Sequence, residues 1–283
     1  MKVGIVGHGF VGKALADGLK ENVDTYLVDP KLKTSIKDLQ SFNPKIIFIC
    51  VPTPMNNDGS QNISILEKVL NEISHYLSDV SVVLKSTVLP SYVKQVSEIC
   101  PSLILNPEFL RENFANEDFI NSDLILFGGD KNETQVLSDF YLNHTKCKNK
   151  KHIFVDILSA SLIKYTINSF LATKVIFFNE IKSIFDKSDT SESWSNFINA
   201  VSSDNRIGDS HMEVPGPDGR YGFGGACFPK DTNALYKYSQ EIDAEFELLD
   251  KAIRLNNIIR AEYNTPTKRE LEQNIDFNKN LEE

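Results

Sequence analysis

The sequence predicts an α/β fold, with an N-terminal Rossmann-type doubly wound parallel sheet followed by an all-helical central domain with a long helix. Two observations support this prediction. Over residues 1–155, short apolar runs alternate with helix-length segments, as in repeated β-α-β units. Beyond residue 156, apolar residues recur at offsets of three, four and seven, which is the period of an amphipathic helix. We therefore expect domains at 1–155 and 156–263, with a polar C-terminal tail at 264–283.

The predicted strands are rich in Val and Ile, and most lack an alternation of polar and apolar residues. This pattern is typical of strands that are buried on both faces of a parallel sheet. In chain order they are Lys2–Val6, Thr25–Asp29, Ile46–Val51, Val82–Lys85, Leu103–Asn106, Leu124–Phe127 and Ile153–Val155.

The predicted helices show apolar residues on one face and polar residues on the other. In the first domain they are Val11–Lys20, Ile63–Leu77, Ser91–Ile99 and Thr134–Leu142. The long helix is predicted over Asp156–Lys187, and a second helical region over Asn233–Tyr263. Within the tail, Thr267 and Glu270 have the spacing of a helix capping box.

Composition excludes several functional classes. The 30 basic and 39 acidic residues give a net charge of −9, which argues against non-specific nucleic-acid binding. Apolar runs such as Ile46–Val51 are too short to span a bilayer, and the glycine-punctuated N-terminus is unlike a secretory signal. The four cysteines form no metal-binding pattern, so we expect no metal site. Because the N-terminus is unlike a secretory signal, we expect a reducing, cytoplasmic location in which the thiols are free.

A glycine-rich segment, Gly7–Gly12, follows the first predicted strand and opens a helix. Gly7 permits a tight turn, Gly9 permits close approach of a pyrophosphate, and Gly12 permits close packing of helix and strand. Asp29 ends the second strand, where a carboxylate suits a ribose 2′-hydroxyl and repels a 2′-phosphate. This pattern predicts NAD rather than NADP as cofactor; a glycine-rich turn without a ligand is the alternative.

Two further segments lie where ligands bind in such sheets, at the carboxyl ends of predicted strands. They are Val51–Pro54, which includes Pro52 and Thr53, and Ser86–Val88, which includes Thr87. The prolines fix the backbone and the threonines supply hydroxyl groups. Ordinary turns and caps are the alternative interpretation of both segments.

Cys227 lies in the most informative segment of the chain, Gly222–Asp231. Three glycines before it let the backbone approach a ligand, and Pro229 is well placed to start a helix. A thiol near a helix N-terminus and a lysine is favoured as the thiolate, which is the nucleophilic form. The alternative is an inert buried cysteine in a turn.

Lys164 and Asn168 are four residues apart on the long predicted helix, so their side chains point the same way. Their neighbours along this face are apolar, which predicts partial burial. An ammonium and an amide at one point can stabilise an oxyanion. A solvated lysine with a surface asparagine is the alternative.

With these segments in view, the chain resembles the UDP-glucose/GDP-mannose dehydrogenase family. It carries the motifs GHGFVG, VPTP, STV, NPEFLREN, KxxxN, FFNE, RIG and GFGGACFPKD in the family's order, within residues 1–262. The resemblance is strongest to the branch that oxidises UDP-glucose. It implies two successive hydride transfers to NAD, which convert a sugar alcohol into a carboxylate, through a thiohemiacetal and a thioester on the cysteine.

The resemblance also assigns roles to residues at matching motif positions. The implied catalytic residues are Cys227, Lys164, Asn168, Asp231, Thr87 and Glu108. The expected cofactor-binding residues are Gly7, Gly9, Phe10, Val11, Gly12, Asp29, Pro52, Thr53, Thr87, Glu112 and Lys230. The expected substrate-binding residues are Glu108, Phe109, Leu110, Arg111, Lys164, Asn168, Arg206, Phe223, Gly224 and Gly225.

Several alternatives remain open from the sequence. GDP-mannose or a UDP-N-acetylhexosamine could replace UDP-glucose, and the chain could bind nucleotide sugar or NAD without catalysis. A 3-hydroxyacid dehydrogenase, which would not require Cys227, is a third alternative. The resemblance further implies a homodimer through the central helices. It also implies a third, nucleotide-binding domain after the central helices. In this sequence only a polar tail follows Tyr263. A naturally short form, a separate partner or an incomplete fragment would each account for this.

Overall fold

The computed structural model describes residues 1–278, which form two compact units. The first unit comprises Met1–Thr53 and Asn62–Lys164. The second comprises Pro54–Gln61 and the chain from Tyr165 onwards. This division falls inside a helix, whereas the sequence places the domain boundary at 155/156; the predicted domain bounds stay a prediction.

The first unit contains one seven-stranded sheet. Its strands are β1 Lys2–Val6, β2 Asp24–Val28, β3 Ile46–Ile49, β4 Ser81–Leu84, β5 Leu103–Leu105, β6 Ile125–Gly128 and β7 His152–Val155. Their order is β2-β1-β3-β4-β5-β6-β7, and all neighbouring pairs are parallel except β5 and β6. The predicted doubly wound α/β fold is confirmed. The single antiparallel pair arises because residues 106–124 return the chain to the edge at which β5 ended.

Helices cover both faces of this sheet. They are α1 Phe10–Gly18, α2 Leu39–Phe42, α3 Ser64–Tyr76, α4 Pro90–Ile99, α5 Ala115–Asn121 and α6 Lys131–His144. On β3, Ile47 packs in one apolar cluster with Leu66 of α3, while Phe48 packs in the other with Leu15 of α1. Burial of both faces explains why the strand sequences lack alternation. The sequence did not predict α2 and α5, because one or two turns are too short to show a helical period.

The order of the strands reverses at β1, which lies between β2 and β3. Ligands of open α/β sheets bind outside the carboxyl ends of the strands at such a reversal. Gly7 leaves β1 at this edge with a φ of +95°, and a Cβ there would lie 2.6 Å from the carbonyl oxygen of Cys50. Only glycine therefore allows the chains after β1 and β3 to run this close together.

Helices dominate the second unit. The long helix α7, Ile157–Lys187, begins in the first unit and is followed by α8 Trp194–Ser202, α9 Phe228–Glu241, α10 Glu247–Ala261 and α11 Lys268–Glu272. The long helix is confirmed within one residue of its predicted start. No helix in residues 1–278 is both long enough and apolar enough to cross a membrane.

The region predicted as helical over Asn233–Tyr263 consists of two helices rather than one. The first, α9, begins at Phe228 and ends where Asp243 adopts a left-handed conformation with a φ of 54°. The amide of Ala244 there donates to the carbonyl of Ser239 at 2.8 Å, a bond that closes the helix end. The break therefore depends on a C-terminal cap that apolar periodicity does not reveal.

The residues after Tyr263 pack within the second unit although their sequence is polar. The predicted capping box is confirmed at the start of α11, where the side chains of Thr267 and Glu270 each accept a hydrogen bond from the other residue's amide. Glu270, Ile275 and Phe277 are buried. A charged residue in this segment therefore belongs to the interior, which the polar composition did not indicate.

We expect the two glycines at the start of α1 to differ sharply in their tolerance of alanine. A Cβ on Gly12 would lie 2.0 Å from the carbonyl oxygen of Gly7, whereas a Cβ on Gly9 has no other atom within 4 Å. Gly12→Ala should therefore lower the free energy of unfolding by about 1–3 kcal/mol through overpacking. Gly9→Ala, as the matched control, should leave it nearly unchanged. Equal denaturation midpoints for the two variants would contradict this account of the turn.

Candidate active site

The glycine-rich loop after β1 presents open backbone at the edge of the sheet. Gly9 is the residue before α1, which begins at Phe10. Because no other atom lies within 4 Å of the position where its Cβ would stand, a ligand can approach the backbone here. The first amides of α1 have no partner within the helix, and they favour negative charge. This loop therefore fits the pyrophosphate of a dinucleotide.

Asp29 lies directly beside this loop. One oxygen of its carboxylate accepts a hydrogen bond from the amide of His8 at 2.8 Å, and the other accepts from the amide of Lys31 at 2.9 Å. Partial burial raises the pKa of Asp29, but these bonds outweigh it, and the pKa lies below its ordinary value. The group is thus ionised at neutral pH, as a carboxylate that receives a ribose hydroxyl must be.

The two polar loops after β3 and β4 are joined by hydrogen bonds. Thr53 is buried, and its hydroxyl donates to the carbonyl oxygen of Thr87 at 2.9 Å. The hydroxyl of Ser86 donates to the carbonyl oxygen of Val51 at 2.7 Å. Pro52, between them, is exposed. The predicted loops therefore form one connected surface at the carboxyl edge of the sheet, and their cofactor-binding role stays a prediction.

A buried ion pair lies at the end of β5. Lys164, on α7, places its Nζ 3.3 Å from Oε1 of Glu108 and 2.5 Å from the carbonyl oxygen of the same residue. The ammonium also lies 5.1 Å from the ring centroid of Phe109. The other carboxylate oxygen of Glu108 accepts from the amide of Leu110 at 2.7 Å. One lysine thus fixes the segment that carries three of the predicted substrate-binding residues.

This pair has the chemistry of a catalytic site. A buried ammonium stabilises negative charge more strongly than the same group in water, because its field is less screened. A buried carboxylate beside it can accept and return a proton. The partial burial expected for Lys164 is confirmed, with 3% of the residue exposed.

In the second unit, Cys227 immediately precedes α9, and Pro229 lies in the first turn of that helix. The prediction that Pro229 marks a helix start is therefore confirmed. Asp231, in the same turn, is 1% exposed. Its carboxylate accepts from the side-chain Nδ2 of Asn168 at 2.6 Å and from the ammonium of Lys230 at 2.5 Å. The thiol, a buried carboxylate and its two donors thus lie around the first turn of one helix.

The loop in front of Cys227 is held through its backbone. The amide of Gly222 donates to Asn179 at 2.9 Å. Phe223 donates its amide to the side chain of Asn256 at 2.6 Å and accepts from the same side chain at 3.0 Å. Asn256 was not predicted from the sequence. A polar residue on the apolar face of a predicted helix is the signal that could have revealed it.

Three predicted residues are exposed, and two of them pair with surface carboxylates. Arg206 pairs with Asp204 at 2.5 Å, and Arg111 pairs with Asp118 at 2.7 Å. Glu112 lies in a short 3₁₀ helix on the surface of the first unit. Their contacts with cofactor or substrate stay predictions.

Burial affects the thiols of the three cysteines other than Cys227. Burial raises the pKa of the Cys50 thiol to about 12 and also raises the pKa of Cys100 and Cys147. The thiol of Cys147 donates to the carbonyl oxygen of Phe119 at 3.2 Å. Desolvation disfavours the thiolate, so these three groups are poor nucleophiles at neutral pH.

Comparison with known proteins agrees with the geometry. The NAD binding domain of the UDP-glucose/GDP-mannose dehydrogenase family matches residues 15–145, and the central domain of the same family matches residues 158–258. The chain therefore belongs to the UDP-glucose/GDP-mannose dehydrogenase family. It carries the NAD-binding domain of that family together with the central helical domain.

Individual relatives support this assignment. The chain is 30% identical to UDP-glucose 6-dehydrogenase YwqF of Bacillus subtilis, over 91% of this chain and 66% of that protein. It is 33% identical to a UDP-glucose 6-dehydrogenase of Rickettsia bellii, over 79% of this chain and 51% of that protein. Among solved structures it resembles a UDP-glucose dehydrogenase of the archaeon Pyrobaculum islandicum, with 27% identity and a TM-score of 0.73. That match covers 91% of this chain and 68% of the archaeal one. The chain thus spans between half and two thirds of the two bacterial relatives.

We expect Cys227 to be the most reactive of the four thiols. Burial raises the pKa of the other three, whereas Cys227 stands at the N-terminus of α9, where a thiolate is favoured. At neutral pH, iodoacetamide should modify Cys227 at least about tenfold faster than any other cysteine. Peptide mass spectrometry over a time course measures this, with Cys227→Ala as control. Earlier modification of Cys50, Cys100 or Cys147 would contradict the assignment.

Proposed function

We propose that this protein is an NAD-dependent nucleotide-sugar 6-dehydrogenase that oxidises UDP-glucose to UDP-glucuronate. The observation that carries the proposal is the arrangement at the start of α9, where Cys227 is followed by the buried Asp231 with its donors Asn168 and Lys230. A dehydrogenase that removes only two electrons does not need a nucleophile. The second oxidation requires a nucleophile such as a thiol, which adds to the aldehyde.

The first unit supplies the cofactor site of the proposal. The open backbone at Gly9 fits a pyrophosphate, and the ionised Asp29 fits a ribose hydroxyl while repelling the 2′-phosphate of NADP. When bound at this site, NAD would supply the hydride acceptor for each of the two oxidation steps, one molecule for each step. The protein's own residues perform the remaining chemistry.

In the first step the sugar C6 alcohol loses a hydride and a proton and becomes an aldehyde. The thiolate of Cys227 then adds to the aldehyde carbon, and the oxygen gains a proton, which gives a thiohemiacetal. This carbon is now tetrahedral, so its hydrogen can leave as hydride. The hydroxyl group loses its proton at the same time, and a thioester results. Water finally attacks the thioester, releasing the carboxylate and regenerating the thiol.

The buried polar groups have distinct roles in this sequence. Lys164 and Asn168 donate hydrogen bonds to the oxygen that becomes negatively charged in each tetrahedral species. Asp231 and Glu108 hold and return protons, and together with the hydroxyl of Thr87 they orient the hydrolytic water. The backbone of Phe109–Arg111, the side chain of Arg206 and the loop Phe223–Gly225 bind the sugar nucleotide. The burial of Lys164, Glu108 and Asp231 supports roles that depend on weak screening.

We expect two molecules of NADH for each UDP-glucose consumed, and Cys227→Ala should reduce this turnover by about a thousandfold or more. Absorbance at the NADH band, with product analysis, measures both quantities. Cys100→Ala is the matched control and should retain full turnover, because Cys100 is the C-terminal capping residue of α4 and has no role in the proposed site.

Other outcomes of the same assay select the alternatives. Turnover only with GDP-mannose or a UDP-N-acetylhexosamine would change the proposed substrate but leave the proposed reaction steps unchanged. A yield of one NADH per substrate, unaffected by Cys227→Ala, would indicate a hydroxyacid dehydrogenase. Binding of NAD or nucleotide sugar by calorimetry, with no turnover across the panel, would indicate a non-catalytic binding protein and overturn the proposal.

We also propose that the protein forms a homodimer through α7. Phe170, Phe177 and Ile184 are 66%, 56% and 62% exposed and are spaced seven residues apart, so they share one face of the helix. Three large apolar side chains in a row on a surface are typical of an interface between proteins. The spacing of seven is also that of helices that pack along their length.

Light scattering at micromolar concentration should give the mass of a dimer. Phe177→Glu should shift this mass to that of a monomer, because a charge in a buried apolar interface is costly. Ile242→Glu is the matched control, since Ile242 is also exposed but lies in the turn between α9 and α10. A wild-type monomer would remove the proposal.

We propose a cytoplasmic location for the protein. All four cysteines are free thiols in the structure, which suits a reducing compartment.

A further inference from the structure

A buried ion pair lies behind the loop that precedes Cys227. Arg260 of α10 donates from Nη2 to Oε1 of Glu270 of α11 at 2.6 Å, and neither side chain has exposed surface. We infer that this pair is a positioning element of the loop Gly222–Gly225, and that α11 therefore supports the site. The inference rests on the proposed function of this loop and of Cys227.

The pair touches the loop at two successive residues. Oε1 of Glu270 also lies 3.4 Å from the amide nitrogen of Gly225, which donates to it. A Cβ on Gly224 would lie 2.3 Å from Nη2 of Arg260 and 2.5 Å from Oε1 of Glu270. The loop backbone therefore rests directly on the two charged groups, and any residue larger than glycine would displace them.

The surroundings fix both members of the pair in place. The second oxygen of Glu270 accepts from the amide of Thr267 at 2.6 Å, as part of the capping box of α11. Nη1 of Arg260 donates to Asp218 at 2.8 Å. The guanidinium carbon lies 5.7 Å and 5.4 Å from the ring centroids of Tyr263 and Phe277. The two charged groups thus have defined positions, and their contacts with Gly224 and Gly225 fix the loop.

Stability alone does not explain a charged pair at this place. Removing two charges from water costs free energy that their attraction often only offsets, so an apolar pair of similar size would hold α10 and α11 together equally well. An apolar pair could not accept the amide hydrogen of Gly225. The carboxylate of Glu270 provides that acceptor, and Arg260 provides the charge of opposite sign beside it.

The same pair accounts for the order of α11. This helix has only five residues, and an isolated helix of that length does not persist in water. Its attachment through Glu270 places a segment that follows Tyr263 in the chain against the loop before Cys227. Glu270 therefore contributes to the proposed active site through the loop that it supports, although it was not predicted to have a role there.

The test compares Glu270→Gln with Glu272→Gln, a matched change on the same short helix at a side chain that is 40% exposed. Hydrogen exchange of the peptide covering residues 222–227 reports the loop directly, and iodoacetamide modification reports the Cys227 thiol. We expect exchange in this peptide to accelerate about tenfold or more in Glu270→Gln, since glutamine has one acceptor oxygen where the carboxylate has two, and it carries no charge opposite Arg260. Modification of Cys227 should change by several-fold, and Glu272→Gln should match wild type.

Kinetics separate positioning from a general loss of structure. In Glu270→Gln the KM for UDP-glucose should rise about tenfold, while the KM for NAD should change less, because Gly9 and Asp29, which fit the pyrophosphate and the ribose, are not part of the loop Gly222–Gly225. Loop loosening in a protein that turns over no nucleotide sugar would leave this inference standing and remove the proposed function. A folded Glu270→Gln with wild-type exchange over residues 222–227 would overturn the inference.

A second variant covers the case in which Glu270→Gln does not fold, as judged by circular dichroism. Thr267→Ala removes the side-chain oxygen that accepts from the amide of Glu270, and it leaves both charged groups in place. It should loosen the same peptide by a smaller factor, since only the cap of α11 is lost. Wild-type exchange in Thr267→Ala would then overturn the inference.

Discussion

The burial of β1 and β3 on both faces is the constraint on which the rest of the first unit depends. Ile47 and Phe48 are adjacent in the chain and are both fully buried, on opposite sides of the sheet. Parallel pairing then brings the carboxyl ends of successive strands to one edge. Gly7, Thr53 and Ser86 follow the strands at that edge. The loops that carry polar groups therefore become neighbours because the apolar strands must be buried on both faces of the sheet.

Each buried charge of the proposed site has a partner of opposite sign in its own unit. Lys164 has Glu108, Lys230 has Asp231, and Arg260 has Glu270. A buried charge without a partner is costly, so these pairs hold side chains and loops in single positions. The groups best suited to stabilise an oxyanion or move a proton are for this reason also the groups that fix the backbone around them. Folding and chemistry here use the same contacts.

Membership of the dehydrogenase family indicates the class of reaction, and the surroundings of the thiols indicate which cysteine could take part in it. Three cysteines are held in surroundings that raise the pKa of the thiol, and the fourth stands at a helix N-terminus. This contrast is consistent with the proposed role of Cys227 as the nucleophile. The pair of Arg260 and Glu270 extends the same logic to the loop that precedes the reactive thiol.

The sequence by itself determined the fold class, the strands, the glycine-rich loop with Asp29, and the long helix that carries Lys164, because each depends on local periodicity or on spacing within one segment. Tertiary structure alone decided which charges meet. The partner of Glu108 is 56 residues away in the chain, and that of Asn168 is 63 residues away. The sequence did not reveal the role of Glu270, because that role also depends on tertiary contacts. In the sequence it is a polar residue that caps a short helix, and only packing against Arg260 and Gly225 makes it an interior charge that supports a loop 45 residues earlier.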